Sequence, residues 1–115
     1  MTRAVPEGQE LREVDLGQFE AAQGAGGYVV DVREPEEYRN GHVPGAHLIP
    51  LGQVPARLSD IPADQTVYVI CAHGVRSLTA AAVMAAAGRD VRSVAGGTLG
   101  WARRGLPLVR GSEPT

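Results

Sequence analysis

Thr66-Val67-Tyr68-Val69-Ile70, then Cys71-Ala72-His73-Gly74-Val75-Arg76-Ser77, then the alanine-rich run from Leu78 to Ala87, reads as a strand, a short turn and a helix in immediate succession. The first five residues are β-branched, aromatic or aliphatic throughout, the pattern of a strand buried on both faces at the centre of a parallel sheet. Ser77 is predicted to cap the helix and Gly88 to close it. Working outward, Val91 to Ala95 forms a second buried strand, Gly96-Gly97 a turn, and Leu99 to Arg104 a last helix. Upstream, Asp15 is suited to cap a helix carrying Leu16, Phe19 and Glu20, which Gly24, Gly26 and Gly27 end before the strand Tyr28 to Val32. Pro35 fits the first turn of a short helix from Glu34 to Asn40, with acidic residues at its positive end and Gly41 as its stop. Ala46 to Ile49 reads as a short strand, and Val54 to Leu58 as a short helix ending near Pro62. Strands alternating with helices at this spacing predict an open, mostly parallel α/β sheet with helices on both faces. Sites in such sheets lie at the carboxyl ends of the strands.

The chain has 115 residues, the size of one domain with one core. Residues 1–10 and the tail 110–115 are polar and rich in Gly, Glu and Pro, and both are expected to be flexible around a single domain over 11–109. Apolar residues make up 43% and charged residues 21%, an ordinary globular balance that excludes a disordered or fibrous chain. All 11 basic residues are arginine, and the formal net charge is -2, so there is no basic field to attract nucleic acid or an anionic membrane. Met1 to Glu10 contains no apolar core of the signal-peptide kind, and a cytoplasmic location is expected. The longest apolar run, Ala80 to Ala87, is too short to span a bilayer.

The chain has one cysteine, so Cys71 has no internal disulfide partner and is an inert core residue, a reactive thiol or a lone ligand. Free cysteines are often buried and inert. The turn after Cys71 argues for reactivity. Gly74 loosens it so that successive backbone N–H groups can point into one concavity, and the following helix adds the positive end of its dipole. Such a nest favours an anion, stabilises a thiolate over a thiol and lowers the thiol pKa. Arg76 adds a permanent positive charge.

The residues around this turn resemble the single-domain rhodanese-like proteins, sulfurtransferases that work through a cysteine persulfide. Cys71-Ala72-His73-Gly74-Val75-Arg76-Ser77 is similar to that family's active-site loop, Cys-x-x-Gly-x-Arg-Ser. Asp31-Val32-Arg33-Glu34-Pro35-Glu36-Glu37-Tyr38 resembles the segment after its second strand, Tyr38 with His42-Val43-Pro44-Gly45-Ala46 its N-terminal signature, and Gly96-Gly97-Thr98-Leu99-Gly100-Trp101 its closing Gly-Gly-x-x-x-Trp element. The resemblance spans Leu11 to Pro107 and implies a five-stranded sheet of the rhodanese type. It also implies a mechanism. The Cys71 thiolate attacks the outer sulfur of a small anionic donor such as thiosulfate, sulfite leaves, and a persulfide remains for a thiophilic acceptor. That acceptor is cyanide or a thiol, including a thiol on another protein. Ala72, His73, Gly74, Val75 and Arg76 would bind the donor, with loop N–H groups holding the outer sulfur as an oxyanion hole holds charge. No cofactor or metal is implied.

Other residues carry a plain reading beside the functional one. Arg33 follows a strand and is expected either to attract the anionic donor or to brace a loop; Asp31 is expected to support the cysteine loop or Arg76, most simply through an ion pair, and Ser77 to support the same loop. His73 could steer an anion or stand in solvent. His42 and His47 are five residues apart across a Pro-Gly turn, which matches no closed zinc pattern. Trp101 reads as a packing residue, and the alanine-rich helix as core. Two further readings remain beside the enzyme: a sulfur-carrier or regulatory module loaded by a protein partner, and phosphatase chemistry on the same fold. Against the latter, four residues separate Cys71 from Arg76, one fewer than in the Cys-x5-Arg loop of related cysteine phosphatases.

Overall fold

The computed structural model of the chain describes residues 12–115, and the predicted flexible segment 1–10 lies outside the described residues. Five strands alternate with four helices: β1 (Glu13–Val14), α1 (Leu16–Gly24), β2 (Tyr28–Asp31), α2 (Pro35–Asn40), β3 (His47–Leu48), β4 (Val67–Ile70), α3 (Arg76–Ala86), β5 (Val91–Val94) and α4 (Gly97–Arg103). Two 3₁₀ segments, Leu51–Gln53 and Pro55–Asp60, occupy the place of the predicted helix from Val54 to Leu58. The strands form one sheet in the order β1-β5-β4-β2-β3, with every pairing parallel. The expected α/β architecture is therefore present, and the two edges are strands of two residues each, which leaves little edge to template further pairing. β1 is too short for its periodicity to be read from sequence.

β4 lies at the centre because both of its faces are apolar. Val67 and Val69 pack with Val30, Val91 and the α3 residues Ala80, Ala81, Met84 and Ala85. The small side chains of α3 let it lie close to the sheet. On the other face Tyr68 and Ile70 meet Val29, Val94, Phe19 of α1, Tyr38 of α2 and Trp101 of α4. Trp101 is a packing residue, as its sequence context predicts: its ring meets Phe19 edge-on at 5.4 Å between centroids, and its indole N–H donates to Pro107 O at 2.7 Å.

Local sequence accounts for most helix ends. Asp15 Oδ1 accepts from the Gln18 N–H at 2.8 Å while Gln18 Oε1 accepts from the Asp15 N–H at 2.9 Å, a reciprocal cap on α1. Pro35 opens α2, where the missing N–H costs nothing. Two helices begin two residues before expectation. α4 begins at Gly97 and not at Leu99, and α3 begins at Arg76 and not at Leu78, with no side-chain cap, so Ser77 lies within its first turn.

The tail is also different from its composition. Residues 110–115 do not stand free: the Gly111 N–H donates to Arg39 O at 3.0 Å, the Gly45 N–H to Pro114 O at 2.9 Å, and Glu113 O lies 2.8 Å from His42 Nε2. Just before it, His42 and Val109 exchange both backbone hydrogen bonds in an antiparallel bridge. Among the described residues no helix is long and apolar enough to cross a membrane.

Candidate active site

Parallel pairing brings the carboxyl ends of β2, β4 and β5 to one edge of the sheet, and Asp31 of β2 is in register with Ile70 of β4. Cys71 is the next residue, and it is 1% exposed. Its sulfur is enclosed by donors. The Gly74 N–H points at Sγ from 3.1 Å, the Ser77 N–H from 3.3 Å, and Ser77 Oγ lies 3.5 Å away.

The turn holds this shape from below. The N-terminus of α4 takes its carbonyl groups: the Thr98 N–H donates to Cys71 O at 2.8 Å and the Leu99 N–H to Ala72 O at 3.1 Å. Because each peptide is planar and trans, fixing the Ala72 carbonyl toward α4 turns the His73 N–H to the opposite side, toward the sulfur. Two glycines make the arrangement feasible. Gly74 has φ of +96° and a Cβ there would lie 3.2 Å from Val94 O, while Gly97 has φ of +60° and a Cβ there would lie 2.5 Å from Ala72 O.

Burial opposes charge on Cys71, but hydrogen bonds from the Ser77 hydroxyl, the Ser77 N–H, the Gly74 N–H and the His73 N–H together lower its pKa below the ordinary thiol value. The donors are neutral groups. The arrangement can therefore hold a thiolate.

Arg76 is brought to the loop, but its fork is occupied. It forms a bidentate pair with Glu37 of α2 at 2.8 and 2.9 Å, a partner the sequence reading did not assign. The Arg76 hydrogen bond holds the Glu37 carboxyl down at about 2, against an ordinary value of 4.5. Since the folded value is depressed, this stabilisation is present above about pH 4.5 and is lost as pH falls through about 2. The signal in the sequence was the acidic pair Glu36-Glu37 in the first turn of a helix whose N-terminus follows β2 at the carboxyl edge of the sheet.

Of the two roles open to Arg33, its contacts are those of the brace: its guanidinium turns inward, it is 6% exposed, pairs with Asp31 at 2.8 Å and donates to Gly41 O at 2.9 Å. Asp31 likewise holds Arg33 and not Arg76, and it also accepts the Arg33 N–H at 3.0 Å. The pair braces the end of β2 and the start of α2. Buried charges require partners, and Asp31 and Arg33, two residues apart, satisfy each other. Of the remaining loop residues, Ala72 is half-buried, while His73 and Val75 face solvent, Val75 with 70% exposure. His42 and His47 are elsewhere: His42 lies between Tyr38 O and Glu113 O, and His47 stacks on Tyr28.

Ser93 of β5 was also missed. It is fully buried, and its Oγ lies 2.8 Å from Ser77 Oγ. A serine at an inward position of the apolar strand Val91-Arg92-Ser93-Val94 must find a polar partner, which was the available signal.

Comparison with known proteins agrees with this geometry. A sulfurtransferase of Allochromatium vinosum is 40% identical over 82 residues, which cover 70% of this chain and 77% of that protein. A putative sulfur carrier protein, YrkF of Bacillus subtilis, is 40% identical over 74 residues, but these cover 64% of this chain and only 40% of the carrier. Among solved structures, a rhodanese-related protein of Thermoplasma volcanium superposes with a TM-score of 0.81 at 30% identity, covering 87% of this chain and 99% of that one. The family model for the rhodanese-like domain matches residues 15–104, from the cap of α1 to the end of α4 and so across strands β2 to β5 and the Cys71 turn. On fold, site and sequence together, this chain belongs to the rhodanese-like domain family.

Proposed function

We propose that the protein is a sulfurtransferase that carries a sulfane sulfur as a persulfide on Cys71, taking it from a small anionic donor such as thiosulfate. The observation that carries this reading is the ring of donors from Gly74, Ser77 and their neighbours closing on Sγ. The thiolate attacks the outer sulfur of thiosulfate, a new S–S bond forms, and the old S–S bond breaks with its electron pair leaving on sulfite. The outer sulfur then bears the charge. An acceptor nucleophile, cyanide or a thiol, takes that sulfur and returns Cys71 to the thiolate, so the cycle is of the ping-pong kind. Loop N–H groups stabilise the terminal sulfur as fixed dipoles stabilise an oxyanion. A lone cysteine kept reduced in the cytoplasm suits this role.

A second reading is supported by Val75, an exposed apolar residue on the rim beside the sulfur, and by the similarity to a putative sulfur carrier. In that reading a protein partner loads Cys71, and small donors turn over little. Steady-state thiosulfate:cyanide kinetics separate the two: sustained turnover in proportion to enzyme supports the transferase, and a single stoichiometric transfer supports the carrier.

The occupied fork of Arg76 makes a further expectation. If Arg76 acts by bidentate bracing, Arg76→Lys should lose nearly as much as Arg76→Ala, about tenfold in kcat/KM, because an ammonium cannot reproduce two parallel bonds to Glu37. Glu37→Gln should then match them. A lysine variant close to wild type, with only the alanine variant impaired, assigns Arg76 a charge role toward the donor instead.

A further inference from the structure

A line of two buried hydroxyl groups runs away from the sulfur into the sheet. Ser77 Oγ lies 3.5 Å from Cys71 Sγ and 2.8 Å from Ser93 Oγ, and both serines are fully buried. Ser93 does not approach the sulfur itself. We infer that Ser93 is a positioning residue for the sulfur-transfer reaction: its hydroxyl donates to Ser77 Oγ and thereby commits the Ser77 hydrogen to the Cys71 sulfur.

The hydrogen count supports the direction. Each hydroxyl has one hydrogen to give. Among the described residues Ser93 Oγ has no hydrogen-bond partner other than Ser77 Oγ. Were Ser77 the donor to Ser93, the Ser93 hydrogen would lie buried without an acceptor and the sulfur anion would lose its hydroxyl donor. In the thiol the Cys71 S–H can itself donate to Ser77 Oγ; in the thiolate, with Ser93 donating to Ser77 and Ser77 donating to sulfur, both hydroxyl hydrogens are used and the charge has a hydroxyl donor. The chain polarises in one direction, since a hydroxyl that accepts a hydrogen bond becomes a better donor.

The framework fixes Ser93 independently of the loop. Its N–H donates to Arg12 O at 2.8 Å, and its strand pairs with both β1 and β4, so the hydroxyl is held on the sheet while the loop presents Ser77. β5 thus contributes to the site through a residue that touches neither donor nor acceptor. The charged groups around the sulfur are Arg76 of α3, Glu37 of α2 bound to it, and the Asp31–Arg33 pair after β2; His73 in the loop faces solvent. None of them changes in the variants below.

The inference rests on Cys71 working as a thiolate that accepts sulfur, and the test is chosen to fail separately from that reading. Cys71 is the only cysteine, so the ultraviolet absorbance of its thiolate can be titrated without a reagent that must enter the site. Ser93→Ala is expected to raise the midpoint by about half to one pH unit, which is about a threefold to tenfold lower thiolate fraction below the midpoint. Turnover of thiosulfate should fall by the same factor at low pH and converge with wild type at high pH. Ser93→Thr, which keeps the hydroxyl and suits a strand, should restore the midpoint. Ser77→Ala with Ser93→Ala should titrate as Ser77→Ala alone, because Ser93 acts through Ser77. A Ser93→Ala titration that superposes on wild type overturns the inference. So does an equal shift in the alanine and threonine variants, or additive shifts in the double variant. Absence of turnover in the wild type would count against the transferase reading while leaving the titration to decide on Ser93.

Discussion

Cys71→Ser is expected to remove sulfur transfer by at least about a thousandfold while the protein stays folded. The hydroxyl can sit among the Gly74 N–H, the Ser77 N–H and the Ser77 hydroxyl that surround the sulfur, so the buried polar group keeps partners. Its effect on stability should be within about 1 kcal/mol. What it cannot do is ionise in this cradle near neutral pH or hold a stable persulfide-like product. Donor turnover and thermal unfolding measured on the same preparation decide the matter. A serine variant that turns over thiosulfate at a rate near wild type removes Cys71 from the role of nucleophile.

Gly97→Ala is expected to have the largest effect on stability of any single methyl added to the chain. Gly97 has φ of +60°, and its Cβ would overlap the carbonyl oxygens of Cys71 and Ala72, the same two groups that α4 holds to shape the loop. A left-handed backbone costs an alanine about 1–2 kcal/mol. The overlap adds more, because the backbone of Cys71 and Ala72, held directly after β4 by hydrogen bonds from α4, cannot give way as the end of a flexible side chain can. A total of about 4 kcal/mol corresponds to a fall in Tm of about 15 °C. Gly105→Ala provides the comparison. Its φ of +73° carries a similar backbone penalty, but an added Cβ meets nothing within 4 Å. That variant should lose only about 5 °C and keep its activity. Equal losses in the two would mean that close approach at the base of the loop does not matter.

The parts of the fold that were legible in the sequence are those set by local pattern. The β-branched run into Cys71, the reciprocal cap at Asp15, the proline that opens α2 and the glycine turn before α4 all determine their own elements. What was not legible depends on groups far apart in the chain. Ser77 looked like a helix cap, but its hydroxyl is drawn to Cys71 and Ser93, so the helix starts at Arg76 without it. For Arg33 local sequence left donor attraction and loop bracing open, and it is burial that makes it dependent on Asp31 and the Gly41 carbonyl. The partner of Arg76, 39 positions earlier, was not legible, since nothing local connects a residue of α2 with the first turn of α3. The contacts of the tail were not legible for a similar reason. Gly, Glu and Pro suggest a free end, yet it is backbone groups, which composition does not reveal, that tie 110–115 to His42, Gly45 and Arg39.

The size of the loop bears on the chemistry that the site performs. Four residues stand between Cys71 and Arg76, and Arg76 is already engaged by Glu37, so its fork is not offered to a phosphoryl group. The N–H donors lie at 3.1 and 3.3 Å from one sulfur, a tighter ring than three phosphoryl oxygens would need. A phosphoryl group held about 1 Å too far out would react roughly 100-fold more slowly, and activity on aryl phosphates should be near background.

The mass of the intact protein after incubation with thiosulfate tests the account most directly. A gain of one sulfur atom at Cys71, reversed by cyanide and absent in Cys71→Ser, is the expected result. An unchanged mass accompanied by robust phosphate release from an aryl phosphate would contradict it.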